Sequence, residues 1–426
     1  MAHQTARNQY DNLSKRLNNH PQGAPPSELL YKILSILFSE KEAKLVAKLP
    51  IKPFTADIAS NIWKLNIKES KKILDELASR AILVDIKLDN DTEYVLPPPM
   101  AGFFEFSLMR VRNDIDQKLL SELFYQYLNV EEDFVKDLFT KGETQLGRIF
   151  VNESVLTNEN AMHVLSYEKA TEVIETAEAI GISMCYCRHK MMHLGKNCDA
   201  PMDICMTFNT SAASLVRHGH ARSVSKNECM DLLHKAWDHN LVQFGENVQN
   251  NVNFICNCCP CCCEAMLAAQ RFSTEHAVHT TSFIVESKVD DCNGCGKCID
   301  VCPIKALSLV SAENPDKPKL KRIEIDESLC LGCGVCLRNC KTESLTLKSR
   351  PERILTPVNV VHRTVVMAIE RGNLAEVLFD NKALFSHRVL AAVIGSILKL
   401  PPIKQIVALK QVKSRYLEKI ITAYIY

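Results

Sequence analysis

Eight cysteines between positions 292 and 340 are the residues of this chain best suited to chemistry. They form two runs, each with two, two and three residues between successive cysteines. The first run is Cys292, Cys295, Cys298 and Cys302, and the second is Cys330, Cys333, Cys336 and Cys340. Thiolate sulfur is a soft anionic ligand, and four thiolates at this spacing are typical of a 4Fe-4S cluster. A zinc site normally uses two separated pairs of cysteines, so the pattern favours iron–sulfur clusters over zinc.

The two runs resemble the bacterial dicluster ferredoxin family over about 60 residues. In that family the fourth cysteine of each run binds the cluster of the other run, so the resemblance implies two 4Fe-4S clusters with exchanged ligands in a repeated βαβ unit. The implied ligands of the first cluster are Cys292, Cys295, Cys298 and Cys340, and those of the second are Cys330, Cys333, Cys336 and Cys302. Two features depart from the family pattern, namely Lys341 in place of a frequent second proline and the polar segment 311–322.

A second cysteine-rich region, residues 185–263, predicts soft-metal binding, and its irregular spacing leaves the metal open. We expect one or two further 4Fe-4S clusters there; a tetrathiolate zinc site and one pooled cluster are the alternatives. The first expected cluster is held by Cys185, Cys187, Cys198 and Cys205, and the second by the run of Cys256, Cys258, Cys259, Cys261, Cys262 and Cys263. Adjacent cysteines cannot all bind one cluster without strain, so some of these thiols are expected to bridge or to be buried. The region resembles large ferredoxin-like proteins with a CxCRH segment and a later cysteine-rich run, which implies only the class of cofactor.

Basic residues lie beside these cysteines. Arg188 directly follows an expected ligand, where it could donate hydrogen bonds to cluster sulfur and raise the reduction potential. His189 and His193 share a helical face, but hydrogen-bonded or solvated histidines are commoner than metal-binding ones. We therefore assign the metal chemistry to the cysteines.

Composition restricts the class of protein. Nineteen cysteines in a chain whose first residues show no secretory signal indicate metal binding in a reducing cytoplasm rather than disulfides. Oxygen-sensitive clusters further suggest an anaerobic or low-oxygen setting. Because 51 Lys and Arg residues balance 50 Asp and Glu residues, the net charge gives no general attraction to nucleic acid or anionic membranes.

The hydrophobic pattern predicts an α+β multidomain protein that positions these cysteines. The expected units are a flexible arm or single docking helix at 1–26, a winged-helix-like domain at 27–100, a helical connector at 101–180, a central helical cysteine-rich metal or cluster domain at 181–280, a βαβ-repeat dicluster ferredoxin module at 281–350 and a helical tail at 351–426. We expect the tail to cover the module, with peripheral membrane contact as the alternative. Its apolar run at 389–398 is too short to span a bilayer.

The 27–100 region predicts helices followed by a hairpin, with Ser27, Ser39 and Thr55 as candidate N-caps. Its helix at 67–80 would enter the major groove if the domain bound DNA. Basic residues on this helix alternate with acidic ones, which is only a weak indication of a nucleic-acid-binding surface. These residues are Lys68, Lys71, Lys72 and Arg80, with Glu69, Asp75 and Glu76 between them. A packing or partner-docking module is the favoured interpretation.

The favoured function is single-electron transfer through two or more clusters to or from a redox partner protein. No nucleotide-binding or hydrolase motif is found, which favours an electron carrier or electron-transfer subunit over a self-contained enzyme. Two alternatives stay open. One is a redox-sensing winged-helix regulator that binds DNA, and the other is a catalytic iron–sulfur oxidoreductase subunit.

Overall fold

Polar side chains begin several of the helices in the N-terminal region. The structure, a computed structural model, describes residues 2–379 except 273–276, 314–317, 352–353 and 355. Ser27 accepts a hydrogen bond from the Leu30 N–H, and Ser39 forms a capping box with Glu42, so both expected caps are confirmed. Thr55 stands at an N-cap position but makes no side-chain cap bond. The helices are α1 (Ala2–Asn19), α2 (Glu28–Leu37), α3 (Glu40–Val46), α4 (Ala56–Trp63) and α5 (Ile67–Ser79).

A small antiparallel sheet closes this region. Its strands are β1 (Phe54–Thr55), β2 (Val84–Lys87) and β3 (Thr92–Val95), in the order β1-β3-β2. The segment at 1–26, expected to be a flexible arm or a docking helix, contains α1, which packs against α2 and α3. Tyr10, Leu13 and Leu17 are buried on one face of α1 because their spacing follows the helical period.

The connector at 101–180 is mainly helical. Phe104 is fully buried, and its ring centroid lies 5.0 Å from that of Phe103 and 4.9 Å from that of Phe124. The Phe103 ring also lies 5.8 Å from that of Phe38, so these aromatic contacts join the N-terminal region to the helices that follow. The helices are α6 (Phe104–Phe106), α7 (Gln117–Tyr125) with a wider turn Gln126–Val130, α8 (Asp133–Thr140), α9 (Asn158–His163) and α10 (Ala170–Thr176).

The centre of the molecule is a six-stranded antiparallel sheet with the order β4-β8-β9-β6-β5-β7. Its strands are β4 (Gly147–Ile149), β5 (Ile180–Met184), β6 (Asp203–Phe208), β7 (Arg222–Ser223), β8 (Val242–Glu246) and β9 (Phe254–Cys258). The accompanying helices are α11 (Tyr186–His193), α12 (Asn209–Arg217), α13 (Lys226–Asp238) and α14 (Glu264–Arg271).

The expectation of a helical cysteine-rich domain at 181–280 is therefore wrong. Four of the six strands of the central sheet lie wholly within this range, and a fifth, β5, begins one residue before it. The segment FICNC forms β9 because Cys256 and Cys258 alternate with Asn257, and a strand points alternate residues to opposite faces. Several of the cysteines therefore lie on or beside a sheet rather than along one helix.

The module at 281–350 consists of two halves with the same order of elements. The first half contains β10 (Phe283–Ser287), α15 (Lys297–Asp300) and β11 (Leu307–Ser311), and the second contains β12 (Lys321–Ile325), α16 (Val335–Arg338) and β13 (Leu345–Ser349). Each element of the second half follows its counterpart by 38 residues, as do the cysteines. β10 pairs antiparallel with β13 and β11 with β12, so the halves exchange strands around a pseudo-twofold axis.

After the module, the chain returns to the central sheet. The helices α17 (Val360–Arg371) and α18 (Leu374–Leu378) are the last described elements. Arg363 donates to Glu246 at 2.9 Å and to the Leu146 carbonyl at 3.0 Å, which fixes α17 beside β4 and β8. The apolar run at 389–398 lies outside the described residues. None of the described helices is long and apolar enough to cross a membrane.

Candidate metal centres

Four cysteines of the module line one small cavity. They are Cys302, Cys330, Cys333 and Cys336, and the rest of the wall is apolar, including Pro303, Ile304 and Leu331. Cys302 comes from the first half and the other three from the second. Soft sulfur ligands in an apolar surround are a suitable donor set for an iron–sulfur cluster.

The remaining four cysteines of the module also lie near one another. Burial raises the pKa of Cys298 to about 11, and the thiols of Cys340, Cys295 and Cys292 add to this effect. Cys295 is exposed, whereas Cys330 and Cys336 of the other set are buried. The two thiol sets of the module therefore have the same composition but different access to solvent.

The loop that contains Cys330 and Cys333 is held tightly against the rest of the protein. Thr281 donates from Oγ1 to the Gly332 carbonyl at 2.9 Å, and the Asn152 N–H donates to the Cys333 carbonyl at 3.0 Å. Gly332 has a positive φ of 67°, and a Cβ at this position would overlap the Phe283 carbonyl oxygen. The backbone of the cysteine loop is thereby fixed next to the central sheet.

Four cysteines of the central region form a compact four-thiol group. The Sγ atoms of Cys198, Cys259, Cys261 and Cys262 all lie within 4.8 Å of one another. In tetrahedral coordination with Zn–S bonds of about 2.3 Å, ligand sulfurs are about 3.8 Å apart. In a cubane cluster the four thiolates bind four different irons, which holds their sulfurs further apart. The geometry of the four-thiol group therefore suits a single tetrahedral ion.

The other six cysteines form a second cluster, the six-thiol group, which consists of Cys185, Cys187, Cys205, Cys256, Cys258 and Cys263. Cys187 is within hydrogen-bonding reach of Cys185 and Cys263, and Cys256 is within reach of Cys205 and Cys258. The Sγ atoms of Cys263 and Cys258 are 3.0 Å apart.

Strand pairing and two helix N-termini assemble the six-thiol group. Met206 of β6 is paired with Ile255 of β9, so Cys205 lies beside Cys256 on the neighbouring strand. Cys185 and Cys263 occupy the N-cap positions of α11 and α14. Helix N-termini present unpaired N–H groups and the positive end of the helix dipole, which stabilise thiolate anions.

The structure thus divides the ten cysteines differently from the grouping expected from the sequence. Cys198 was grouped with Cys185, Cys187 and Cys205, but it joins three members of the 256–263 run. The other three members of that run join Cys185, Cys187 and Cys205. Cys229 belongs to neither group, because it is buried among apolar residues of α13 and the central sheet.

Arg188 lies between the two groups and is fully buried. Its Nη1 donates to the Asn257 carbonyl at 3.1 Å, and the guanidinium also interacts with the Cys259 sulfur, whereas Nε and Nη2 have no oxygen acceptor among the described residues. Burial lowers the pKa of Arg188, but the neighbouring cysteine sulfurs of Cys185, Cys259 and Cys258 outweigh this effect and raise it. A buried cation without a carboxylate partner is costly unless its surroundings are anionic. Metal-bound thiolates would supply that negative charge.

A buried polar triad of Lys190, Glu264 and Asn129 supports the six-thiol group. It was not expected from the sequence. Lys190 forms an ion pair with Glu264, and their side chains are only 0% and 2% exposed. Asn129 accepts from Lys190 Nζ at 2.7 Å and donates to Glu264 Oε2 at 2.7 Å. Lys190 follows Cys187 on α11, and Glu264 follows Cys263, so the triad fixes both helices that present these thiols.

The histidines of this region have structural partners. The Nδ1 atom of His189 is 2.7 Å from the Leu108 carbonyl oxygen, and its ring centroid lies 4.8 Å from that of His193. This agrees with the interpretation of His189 as a hydrogen-bonded residue, whereas Nε2 of His193 has no hydrogen-bond partner among the described residues. The metal-ligating candidates of the region are therefore its cysteines.

Comparison with known families identifies one part of the chain. The family described as the 4Fe-4S dicluster domain matches residues 291–344, which contain both cysteine runs. The resemblance derived from the spacing of the cysteines is thereby confirmed for this segment. Neither the curated proteins nor the solved structures gave a match to the chain.

Proposed function

We propose that the 4Fe-4S dicluster domain at 291–344 makes this protein a single-electron carrier between redox partners. The observation that supports this most directly is the single cavity lined by Cys302 together with Cys330, Cys333 and Cys336. It agrees with the exchanged ligand sets that the ferredoxin resemblance implies, in which each cluster takes one ligand from the other half. Each cluster would change its charge by one unit, and hydrogen bonds and solvent access would tune its potential.

We assign two further centres to the central region. The four-thiol group would hold one tetrahedral ion, for which zinc and iron are both suitable. The six-thiol group would hold a 4Fe-4S cluster through four of its thiols once close pairs such as Cys258 and Cys263, now 3.0 Å apart, separate on binding, and the other two would be buried neighbours. The support for anionic, metal-bound sulfur is the buried Arg188, whose guanidinium lacks a carboxylate partner among the described residues.

A short structural link connects the module with the four-thiol group. Gln270 donates from one nitrogen, Nε2, to the Pro303 carbonyl at 2.7 Å and to the Pro260 carbonyl at 2.9 Å. Pro303 follows Cys302, and Pro260 lies between Cys259 and Cys261. The second cluster of the module is therefore the natural point for electrons to pass between the module and the central region.

We propose that the 27–100 region is a packing module rather than a DNA reader. Asp85 of β2 accepts from Ser214 Oγ at 2.7 Å and pairs with Arg217 at 2.7 Å. Burial raises the pKa of Asp85, but the Ser214 hydrogen bond and the charges of Arg217 and His218 outweigh it and lower the pKa. The wing of a DNA-binding winged helix has to be accessible to DNA. The β2–β3 hairpin is instead hydrogen-bonded through Asp85 to α12 of the central region.

Metal and sulfide analysis of anaerobically purified protein, combined with EPR of the reduced state, tests the proposal. We expect about twelve irons per chain, eight in the module and four on the six-thiol group, plus one zinc or one further iron. Replacing Cys302 by alanine should remove one module cluster, whereas the matched variant Cys229→Ala should keep every metal. A folded protein without iron and sulfide would contradict the proposal. The redox partner and the cytoplasmic location stay predictions.

A further inference from the structure

A large cavity lies between the N-terminal sheet, the central sheet and α17. It has a volume of about 580 Å³ and is partly open to solvent. Small-molecule sites usually measure about 300–1,000 Å³ and are lined mainly by apolar side chains. Most of this wall is apolar as well, with Ile86 and Val95 on the hairpin side and Val360 on the α17 side. The cavity is thus large enough for an elongated, apolar molecule.

Cysteine side chains form one part of the cavity wall. Four members of the six-thiol group line the cavity, namely Cys187, Cys205, Cys256 and Cys263, whereas no member of the four-thiol group and no cysteine of the module does. A molecule in the cavity would therefore lie against the ligands of one particular metal centre. This arrangement is not needed by a protein that only relays electrons between clusters.

Glu105 is the polar group of the wall that is best placed to orient such a molecule. The other two carboxylates of the wall have cationic partners, since Glu246 pairs with Arg363 and Glu264 with Lys190. Glu105 has no ion pair among the described residues, and one of its oxygens accepts from the Gly102 N–H at 2.7 Å. Burial raises the pKa of Glu105 to about 8, against the hydrogen bonds from the Ala101 and Gly102 backbone that lower it, and this favours the protonated, hydrogen-bond-donating form of its carboxyl at neutral pH.

We infer that this cavity binds an uncharged, mainly apolar small molecule with a carbonyl-type oxygen, which accepts a hydrogen bond from Glu105 while the molecule lies against the six-thiol group. The inference goes beyond electron transfer and stands on the cavity itself. It assigns the protein a ligand site that its dicluster domain does not require.

Isothermal titration calorimetry on the full, metal-loaded chain tests this inference. The probes are 2-undecanone, which is apolar with one carbonyl, and undecanoate, which has a similar length and a full charge. We expect 2-undecanone to bind at least about tenfold more tightly, because the cations of the wall, Lys52 and Arg363, already have partners and an unpaired carboxylate is costly to move out of water. Equal affinities, or no heat from either probe, would overturn the inference.

Two variant pairs locate the bound probe. Ile86→Phe fills space at the cavity wall and should weaken 2-undecanone binding about tenfold or more, whereas Leu88→Phe, at an exposed position outside the wall, should change it less than twofold. Glu105→Leu should weaken binding about fivefold, and Glu105→Gln, which keeps a donor, should restore most of it. If Ile86→Phe and Leu88→Phe behave alike while both keep the wild-type melting temperature, the molecule does not bind here. Iron content is measured in parallel, so failure of this inference is separable from failure of the proposed electron transfer.

Discussion

The two sulfur-rich regions of this protein are assembled in different ways. In the module at 291–344, three cysteines of each set come from one short loop, and the fourth comes from the matching position of a repeated half. In the central region, neighbouring cysteines of one run point to different groups, and distant strands and helices supply the other members. Local spacing determines the first arrangement, whereas strand pairing and helix packing determine the second.

This difference has consequences for the cofactors. Regular spacing around tight turns leads to a repeated site, so the two module clusters are expected to be of the same type. The central region separates its ten cysteines into a four-thiol group and a six-thiol group with different sulfur separations. Two unlike metal centres can therefore lie close together, with Arg188 between them.

Alanine variants of Cys198 and Cys205 have the largest expected effect and directly compare the two groupings. We expect Cys198→Ala to lose one zinc or iron per chain, and Cys205→Ala to lose about four irons, with the module clusters retained in both. Elemental analysis and EPR measure the outcome. If both variants lost the same four irons, Cys198 and Cys205 would share one cluster, as their proximity in sequence first suggested.

Lys190→Met tests whether tertiary contacts hold the six-thiol group. The variant leaves the Glu264 carboxylate buried without its partner, and such a loss usually costs about 3–5 kcal/mol. Hydrogen exchange of the α11 and α14 amides should report this as a lower local unfolding free energy, with little change in the module. Lys196→Met, at an exposed position of the following loop, is the control. Similar protection in both variants would mean that the buried triad does not support these helices.

Arg188→Met has the smallest expected effect. It should change the reduction potential of the central cluster rather than the stability of the fold. The guanidinium favours the more negative, reduced state of a neighbouring cluster, so its removal should lower the reduction potential of the central cluster. We expect a shift on the order of 50 mV, since about 1.4 kcal/mol corresponds to 59 mV for one electron. Redox titration followed by EPR measures it, and the module clusters are internal references. An equal shift of all clusters would contradict a local effect of Arg188.

Several features of the fold could be predicted from the sequence, and others could not. The helices of the N-terminal region begin at the expected Ser27 and Ser39 because capping depends only on neighbouring residues. The six-stranded sheet was missed because its strands are short and irregularly spaced between helices. The Lys190 triad was also missed, since a single buried lysine has no periodic signal in a sequence.

The sequence by itself determined the presence of a 4Fe-4S dicluster domain, because cysteines separated by two residues are brought together around one tight turn by local spacing alone. Only the tertiary structure decided how the remaining cysteines are divided and which of them face the large cavity. The physical reason is that pairing of β6 with β9 and packing of α11 against its neighbours bring together residues that are far apart in the chain. Those contacts depend on the whole fold rather than on the spacing of any one motif.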